Sequence, residues 1–229
     1  MKPLGVIITA TGPEIYTNFA CNLVNAMRHY FPAHEPLVFT NTTLPIRATF
    51  VSHPDLGWPR ASLMRYHYIL KQEKLLREFQ MLMYMDADML PVTPISMEEL
   101  RTDGLLAVLH PGFPENAFCR NPMSTSCVEG NPPYYQGCLQ GGETNAFLEM
   151  CRVLARNIDD DDANGVMASN YDESHLNWYL TKHPPSRILS GAFAFPGAMY
   201  IRNDRAWPRM KNVQPRIRHI DKGMSDRVW

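Results

Sequence analysis

A run of five apolar residues, MLMYM at 81–85, ends directly in Asp86-Ala87-Asp88. No other feature constrains the fold as strongly. A strand that is apolar at every position must be covered on both faces, which places it at the centre of an α/β sheet. In an open sheet of that kind, ligands sit beyond the carboxyl ends of the strands. Carboxylates at i and i+2 of an extended strand end project to the same side. Like charges this close repel unless a cation or proton lies between them. A hard divalent cation satisfies such oxygen ligands and keeps positions free for phosphate oxygens. A bare D-x-D is otherwise a polar turn. The apolar residues before it, and Met89-Leu90 after it, weigh against that.

The remaining pattern alternates strand and helix. LGVIIT at 4–9 reads as a buried strand, closed by Thr11-Gly12-Pro13. Apolar residues at helical spacing (Ile15, Phe19, Leu23, Met27) predict a helix over 14–30, with Pro13 suited to its start. PLVFT at 36–40 is the next strand, so the chain opens as a nucleotide-binding α/β unit. Further helices are expected at 60–79, 143–156 and 171–183. Further strands are expected at 105–109, 134–139, 187–190 and 217–220. The five prolines between 110 and 133 mark a long irregular excursion, a kind of segment that is often functional. Gly141-Gly142 reads as a turn after the 134–139 strand. The run of four aspartates at 159–162 reads as a solvated turn.

Composition excludes several classes. The 22 basic and 23 acidic residues leave no basic excess, which argues against a nucleic-acid partner. The five cysteines form an odd set without C-x-x-C, which points to a reducing compartment rather than a disulfide framework. No apolar run approaches the roughly 20 residues of a membrane span, so a cytoplasmic protein is expected. A chain of 229 residues fits one domain. P-loop, G-x-G-x-x-G, H-E-x-x-H and G-x-S-x-G motifs are absent.

Other candidate site residues follow from position. In helical phase Glu173 shares a face with Leu176, Asn177 and Leu180. A carboxylate on an apolar stripe needs a partner or a task. The first helical turn favours its ionised form. Capping of the helix by Asp172 and Glu173 is the plainer alternative. Arg65 falls on or near the apolar side of its helix, where a carboxylate or phosphate is the usual partner and a snorkelling side chain is the alternative. His110 follows the 105–109 strand and so falls at a strand end, where a structural histidine is the plainer alternative. Gly137 and Cys138 lie in a strand where glycine permits close backbone approach, with a plain turn as the simpler alternative.

Taken together, DESHLN (172–177), YMDADM (84–89), HPGF (110–113), PYYQGCLQGG (133–142) and DANG (162–165) resemble glycosyltransferase family 6. Order and approximate spacing agree over nearly the whole chain. The resemblance implies a GT-A fold: a Rossmann-like nucleotide-binding half over about 1–110, an acceptor and catalytic half over about 111–229, and a central mixed sheet flanked by helices. It implies transfer of galactose or N-acetylgalactosamine from a UDP-sugar to a galactose-containing glycan. The product is an α-1,3 linkage with the anomeric configuration retained. Asp86 and Asp88, flanking Ala87, match the pair that binds Mn²⁺, with other divalent cations as alternatives. Thr9, Ala10, Thr11 and Tyr16 match the uracil and ribose contacts. Arg65, Lys222 and Arg227 match cations around the diphosphate. Gln136, Gly137 and Cys138 fall where donor choice is set. Glu173 matches the proposed nucleophile, and Asp172 its donor-binding neighbour. His110 matches an acceptor contact, and Cys119 stands where the family has an acceptor threonine. The acceptor-stacking tryptophan of the family is Asn170 here, and an acceptor aspartate falls near Pro196. A metal-dependent UDP-sugar hydrolase and a UDP-sugar-binding module remain the alternative functions.

Overall fold

A computed structural model describes residues 1–112, 117–197 and 210–222. Its backbone is a seven-stranded mixed sheet covered by helices on both faces. The strands are β1 (Lys2–Ala10), β2 (Glu35–Thr40), β3 (Thr49–Ser52), β4 (Phe79–Asp86), β6 (Leu105–Leu109), β7 (Tyr135–Glu143) and β8 (Arg187–Leu189). They lie in the order β3-β2-β1-β4-β7-β6-β8. The β3, β2, β1 and β4 strands run parallel, β7 runs antiparallel to both β4 and β6, and β8 is parallel to β6. A second, two-stranded sheet pairs β5 (Met89–Pro91) with β9 (Ile217–His219). No helix among the described residues is long and apolar enough to cross a membrane.

The apolar run 81–85 is central, as its composition requires. Met81, Met83 and Met85 enter the core under α1 (Glu14–Tyr30), while Leu82 and Tyr84 enter the opposite core. In β1, Leu4, Val6 and Ile8 join the first core and Ile7 the second, following the two-residue period of a strand. The second core is closed by α3 (Arg65–Leu70), α6 (Thr144–Ala163) and α7 (Tyr171–Lys182).

Three expectations need correction, and three short elements went unexpected. The helix expected over 60–79 is three short helices, α2 (Arg60–Leu63), α3 and α4 (Glu73–Leu76), and β4 begins at Phe79. The first break falls at Met64, whose φ of −87° and ψ of 9° leave helical geometry. Gly141-Gly142 is no turn, since β7 runs on through it to Glu143. A Cβ on Gly141 would collide with the Leu82 carbonyl, and one on Gly142 with the Gly104 carbonyl. These glycines therefore let three backbones pack closely. The aspartates at 159–162 form the end of α6, and Asp161 is buried. Finally, β3, β5 and the one-turn helix α5 (Met97–Leu100) are short elements that carry no periodic signal.

Candidate active site

The site lies where the carboxyl ends of β1 and β4 meet the amino end of β7. Register aligns Thr9 with Asp86 across β1 and β4, and Met85 with Leu139 across β4 and β7. Because β7 is antiparallel, its first residues, Gln136, Gly137 and Cys138, arrive beside the tip of β4. The α7 helix then brings Asp172 and Glu173 over that strand.

Arg65 links these pieces. Its Nε lies 3.1 Å from Asp172 Oδ2, and one terminal nitrogen lies 3.5 Å from Asp86 Oδ1. The other terminal nitrogen donates to the Gly137 carbonyl at 3.0 Å, and the guanidinium stacks 4.3 Å from the Tyr84 ring. Burial works against the Arg65 charge, but Asp172, Tyr84 and Asp86 outweigh it and hold the guanidinium firmly protonated. Burial, with Asp86 and Glu173 adding like charge, pushes Asp172 up to about 7 despite Arg65. The break at Met64 starts a new helix at Arg65 and sends this side chain inward.

Glu173 is held separately. Its Oε1 accepts from the Tyr134 hydroxyl at 2.7 Å, and its Oε2 from the Gly137 N–H at 2.6 Å. Burial pushes its pKa up, and these two donors pull it back. A Cβ on Gly137 would come within 3.3 Å of Glu173 Oε2, so this glycine makes room for the glutamate. Capping is not the main task of either carboxylate: Asn170 is the N-cap residue without a side-chain cap bond, Glu173 is taken by Tyr134 and Gly137, and Asp172 pairs with Arg65 while also accepting from its own backbone N–H. Tyr171, between Asn170 and Asp172, has φ of +49°, a left-handed conformation that is costly for a tyrosine.

Asp88 reaches the same tip from the turn after β4, since the strand ends at Asp86. Burial and the charge of Asp86 push its carboxyl up, and Lys222 Nζ lies 3.7 Å away. The Lys222 ammonium also sits 5.5 Å from the Tyr16 ring. Cys138 is buried within the field of Asp86, Glu173 and Asp88. Burial first, then Asp86, Glu173 and Asp88, push its thiol up. The carboxylates thus converge on one neighbourhood. Among the described residues, no third His, Cys, Asp or Glu completes a cluster able to hold an ion alone. The repelling pair of hard oxygen donors fits a divalent cation that takes its other ligands from a substrate.

The other predicted residues fall around this centre. Thr9 Oγ1 bonds the Tyr68 hydroxyl at 2.9 Å, and Ala10 and Thr11 are buried at the end of β1. Gln136 Nε2 lies 3.3 Å from His219 Nε2, while its Oε1 is buried without a hydrogen-bond partner. His110 is half-buried, and burial with the His219 charge lowers its pKa to about 4. Cys119 stands apart from the carboxylates, 1% exposed, its thiol near Ser169 and Ser126. Arg227 lies outside the described residues. Sequence reasoning missed Tyr134 as the partner of Glu173, Tyr68 as that of Thr9, and His219 as that of Gln136. Tyr134 stood in a motif matched to the family and His219 in the matched C-terminal strand, while Tyr68 stood in neither.

The sequence profile of glycosyltransferase family 6 matches residues 32–214. The chain belongs to this family. Its mixed sheet flanked by helices is the GT-A-like arrangement. Globoside alpha-1,3-N-acetylgalactosaminyltransferase 1 of Canis lupus familiaris is 34% identical over 209 residues, 82% of this chain and 59% of the relative. Histo-blood group ABO system transferase 2 of Rattus norvegicus is 27% identical over 222 residues, 86% of this chain and 63% of the relative. O-antigen biosynthesis glycosyltransferase WbnI of Escherichia coli is 27% identical over 146 residues, 61% and 62% of the two chains. The chain therefore spans about six-tenths of the length of the curated relatives it matches.

Proposed function

We propose that the chain is a retaining α-1,3-glycosyltransferase that moves galactose or N-acetylgalactosamine from a UDP-sugar to a galactose-containing glycan, with Mn²⁺ as cofactor. One observation carries this reading. Arg65 joins Asp86, at the strand tip, to Asp172, and Glu173 follows with its carboxylate fixed by Tyr134 and Gly137.

In this reading Thr9, Ala10, Thr11 and Tyr16 take the uridine at the carboxyl end of β1. Asp86 and Asp88 would hold the divalent cation, which when bound offsets the diphosphate charge. Arg65, Lys222 and Arg227 add positive charge where UDP departs. Gln136, Cys138 and Asp172 surround the donor sugar. His110 and Cys119 belong to the acceptor side, so the first 110 residues serve mainly the nucleotide and the remainder the sugars. As the bond to UDP breaks, positive charge grows at the anomeric carbon. Glu173 meets that charge with a carboxylate that already has two donors, either by attacking it or by stabilising it while the acceptor enters. The Tyr134 and Gly137 bonds orient the carboxylate before the reaction, so little reorganisation is left for the transition state.

Incubation with UDP-galactose, UDP-N-acetylgalactosamine, UDP-glucose or UDP-N-acetylglucosamine plus Mn²⁺ tests the reading. UDP release is followed with and without a panel of galactosides. Release that needs both a galacto-configured donor and a galactoside is expected. Release that ignores the acceptor would make the protein a hydrolase, and donor binding without release would make it a binding module.

A further inference from the structure

Behind the site lies a buried polar knot that the chemistry above leaves unused. Asp161, near the end of α6, accepts from the Ser124 hydroxyl at 2.5 Å on Oδ2 and from the Thr125 N–H at 2.7 Å on Oδ1. Ser124 and Ser126 share a hydroxyl bond of 2.7 Å, and Thr125 Oγ1 donates to the Asn157 carbonyl at 3.0 Å. His175 Nε2 faces Asp161 Oδ2 from α7 at 3.7 Å. Asp161 and His175 are 3% and 1% exposed. A carboxylate in the last turn opposes the helix dipole, and α6 has no basic residue there. The sequence thus places an anion where its own helix disfavours it, and the compensation comes from the excursion.

The knot connects to Glu173 through packed groups. Val128 N–H donates to the Cys119 carbonyl at 3.0 Å, closing the excursion on itself. Phe118, Val128 and Tyr134 form one small apolar cluster, in which Phe118 meets the Tyr134 ring edge-on at 4.9 Å. Tyr134 then holds Glu173. On the other side, Asn170 Nδ2 donates to the Ala117 carbonyl at 2.7 Å and ties the excursion to the start of α7.

We propose that Asp161 is a positioning residue: by pinning the 124–126 turn between α6 and α7, it sets the placement of Tyr134 and through it the carboxylate of Glu173. The consequence for acceptor use rests on the glycosyl-transfer reading, while the consequence for structure does not. Asp161 touches no substrate, so its effect should fall on transfer rather than on donor binding.

The test compares Asp161→Ala, Asp161→Asn and Ser124→Ala with the unaltered protein by amide hydrogen exchange and by transfer kinetics. A local loss would expose only the Thr125 amide. The proposal predicts that in Asp161→Ala the Val128 and Gly137 amides also exchange about tenfold faster, with Ile7 and Ile8 in β1 unchanged. It predicts an acceptor kcat/KM about tenfold lower with the donor KM within about twofold. Asp161→Asn, which keeps an oxygen for Thr125, should recover most of both effects. Ser124→Ala should show the same pattern more weakly, and it serves alone if Asp161→Ala does not fold. Acceleration confined to Thr125, acceleration spread evenly to β1, or a donor KM that rises as much as the acceptor kcat/KM falls would overturn the proposal. If the unaltered protein transfers no sugar, the glycosyl-transfer reading fails and the exchange pattern alone decides the role of Asp161.

Discussion

The two sides of the candidate site are built differently. The strand-tip side, with Thr9, Asp86 and Gly137, is placed by backbone register within one continuous sheet. The excursion side, with Cys119 and Tyr134, belongs to no sheet until β7 begins. It is held by side chains (the Asp161 knot, the Asn170 amide and a three-residue apolar cluster) and by isolated backbone bonds such as Val128 N–H to the Cys119 carbonyl and His110 N–H to the Tyr134 carbonyl. Register is enforced by many cooperative bonds, whereas the excursion depends on a few polar contacts whose loss is not shared. Glu173 stands at the junction, with one oxygen on Tyr134 from the excursion and one on Gly137 from the sheet.

The largest expected effect removes the group at that junction. Glu173→Gln keeps the shape but loses the negative charge, and turnover should fall on the order of 10³-fold, read as UDP release with a galactoside present. Next comes Arg65→Met. It leaves Asp172 buried beside Asp86 without the cation between them. Breaking a buried pair from one side costs about 3–5 kcal/mol, so denaturant unfolding should show a loss of that size. A loss under about 1 kcal/mol would mean that the strand-tip side does not depend on the guanidinium.

Gly141→Ala probes the sheet alone. Its new methyl would press on the Leu82 carbonyl, and overpacking of this kind costs about 1–3 kcal/mol. Thermal unfolding should register it, while UDP affinity in the surviving folded fraction stays the same. The smallest effect concerns pH and the excursion side. Burial lowers the pKa of His175 to about 4, although Asp161 and Asp162 oppose the shift. The unfolded chain therefore binds a proton below about pH 6.5 that the folded chain refuses until about pH 4. Stability contributed by neutral His175 is complete above pH 6.5 and is lost as pH falls towards 4, with a slope of up to about 1.4 kcal/mol per pH unit. His175→Gln should flatten that slope in denaturant titrations across this range. An unchanged slope would remove His175 from the acid response.

Legibility in the sequence divides along the same line. Residues 81–85 disclosed a central strand because two-sided burial leaves no polar position, and α1 was readable to its ends because a full apolar stripe meets one core. The D-x-D and the helix-borne glutamate were visible because charge beside apolar sequence is conspicuous. The broken helix at 60–76 was not, since a turn that starts a new helix at Arg65 preserves the apolar spacing on either side. Gly141-Gly142 looked like a turn because local propensity says nothing of a Leu82 carbonyl brought in by a distant strand. Of the four aspartates at 159–162, Asp159 and Asp160 are exposed as expected, but the burial of Asp161 was hidden for the same reason. The partners of Asp161, Ser124 and Thr125, come from a remote segment.

The central claim is that the carboxylate pair at the tip of β4 grips the donor diphosphate through a cation, while Glu173 acts on the sugar after binding. Calorimetric titration of UDP-galactose or UDP-N-acetylgalactosamine with Mn²⁺ into Glu173→Gln and into Asp88→Asn separates the two roles. The account predicts that Glu173→Gln binds donor about as tightly as the unaltered protein and that Asp88→Asn loses at least about tenfold in affinity. Undiminished binding by Asp88→Asn, or abolished binding by Glu173→Gln in a folded protein, would contradict it.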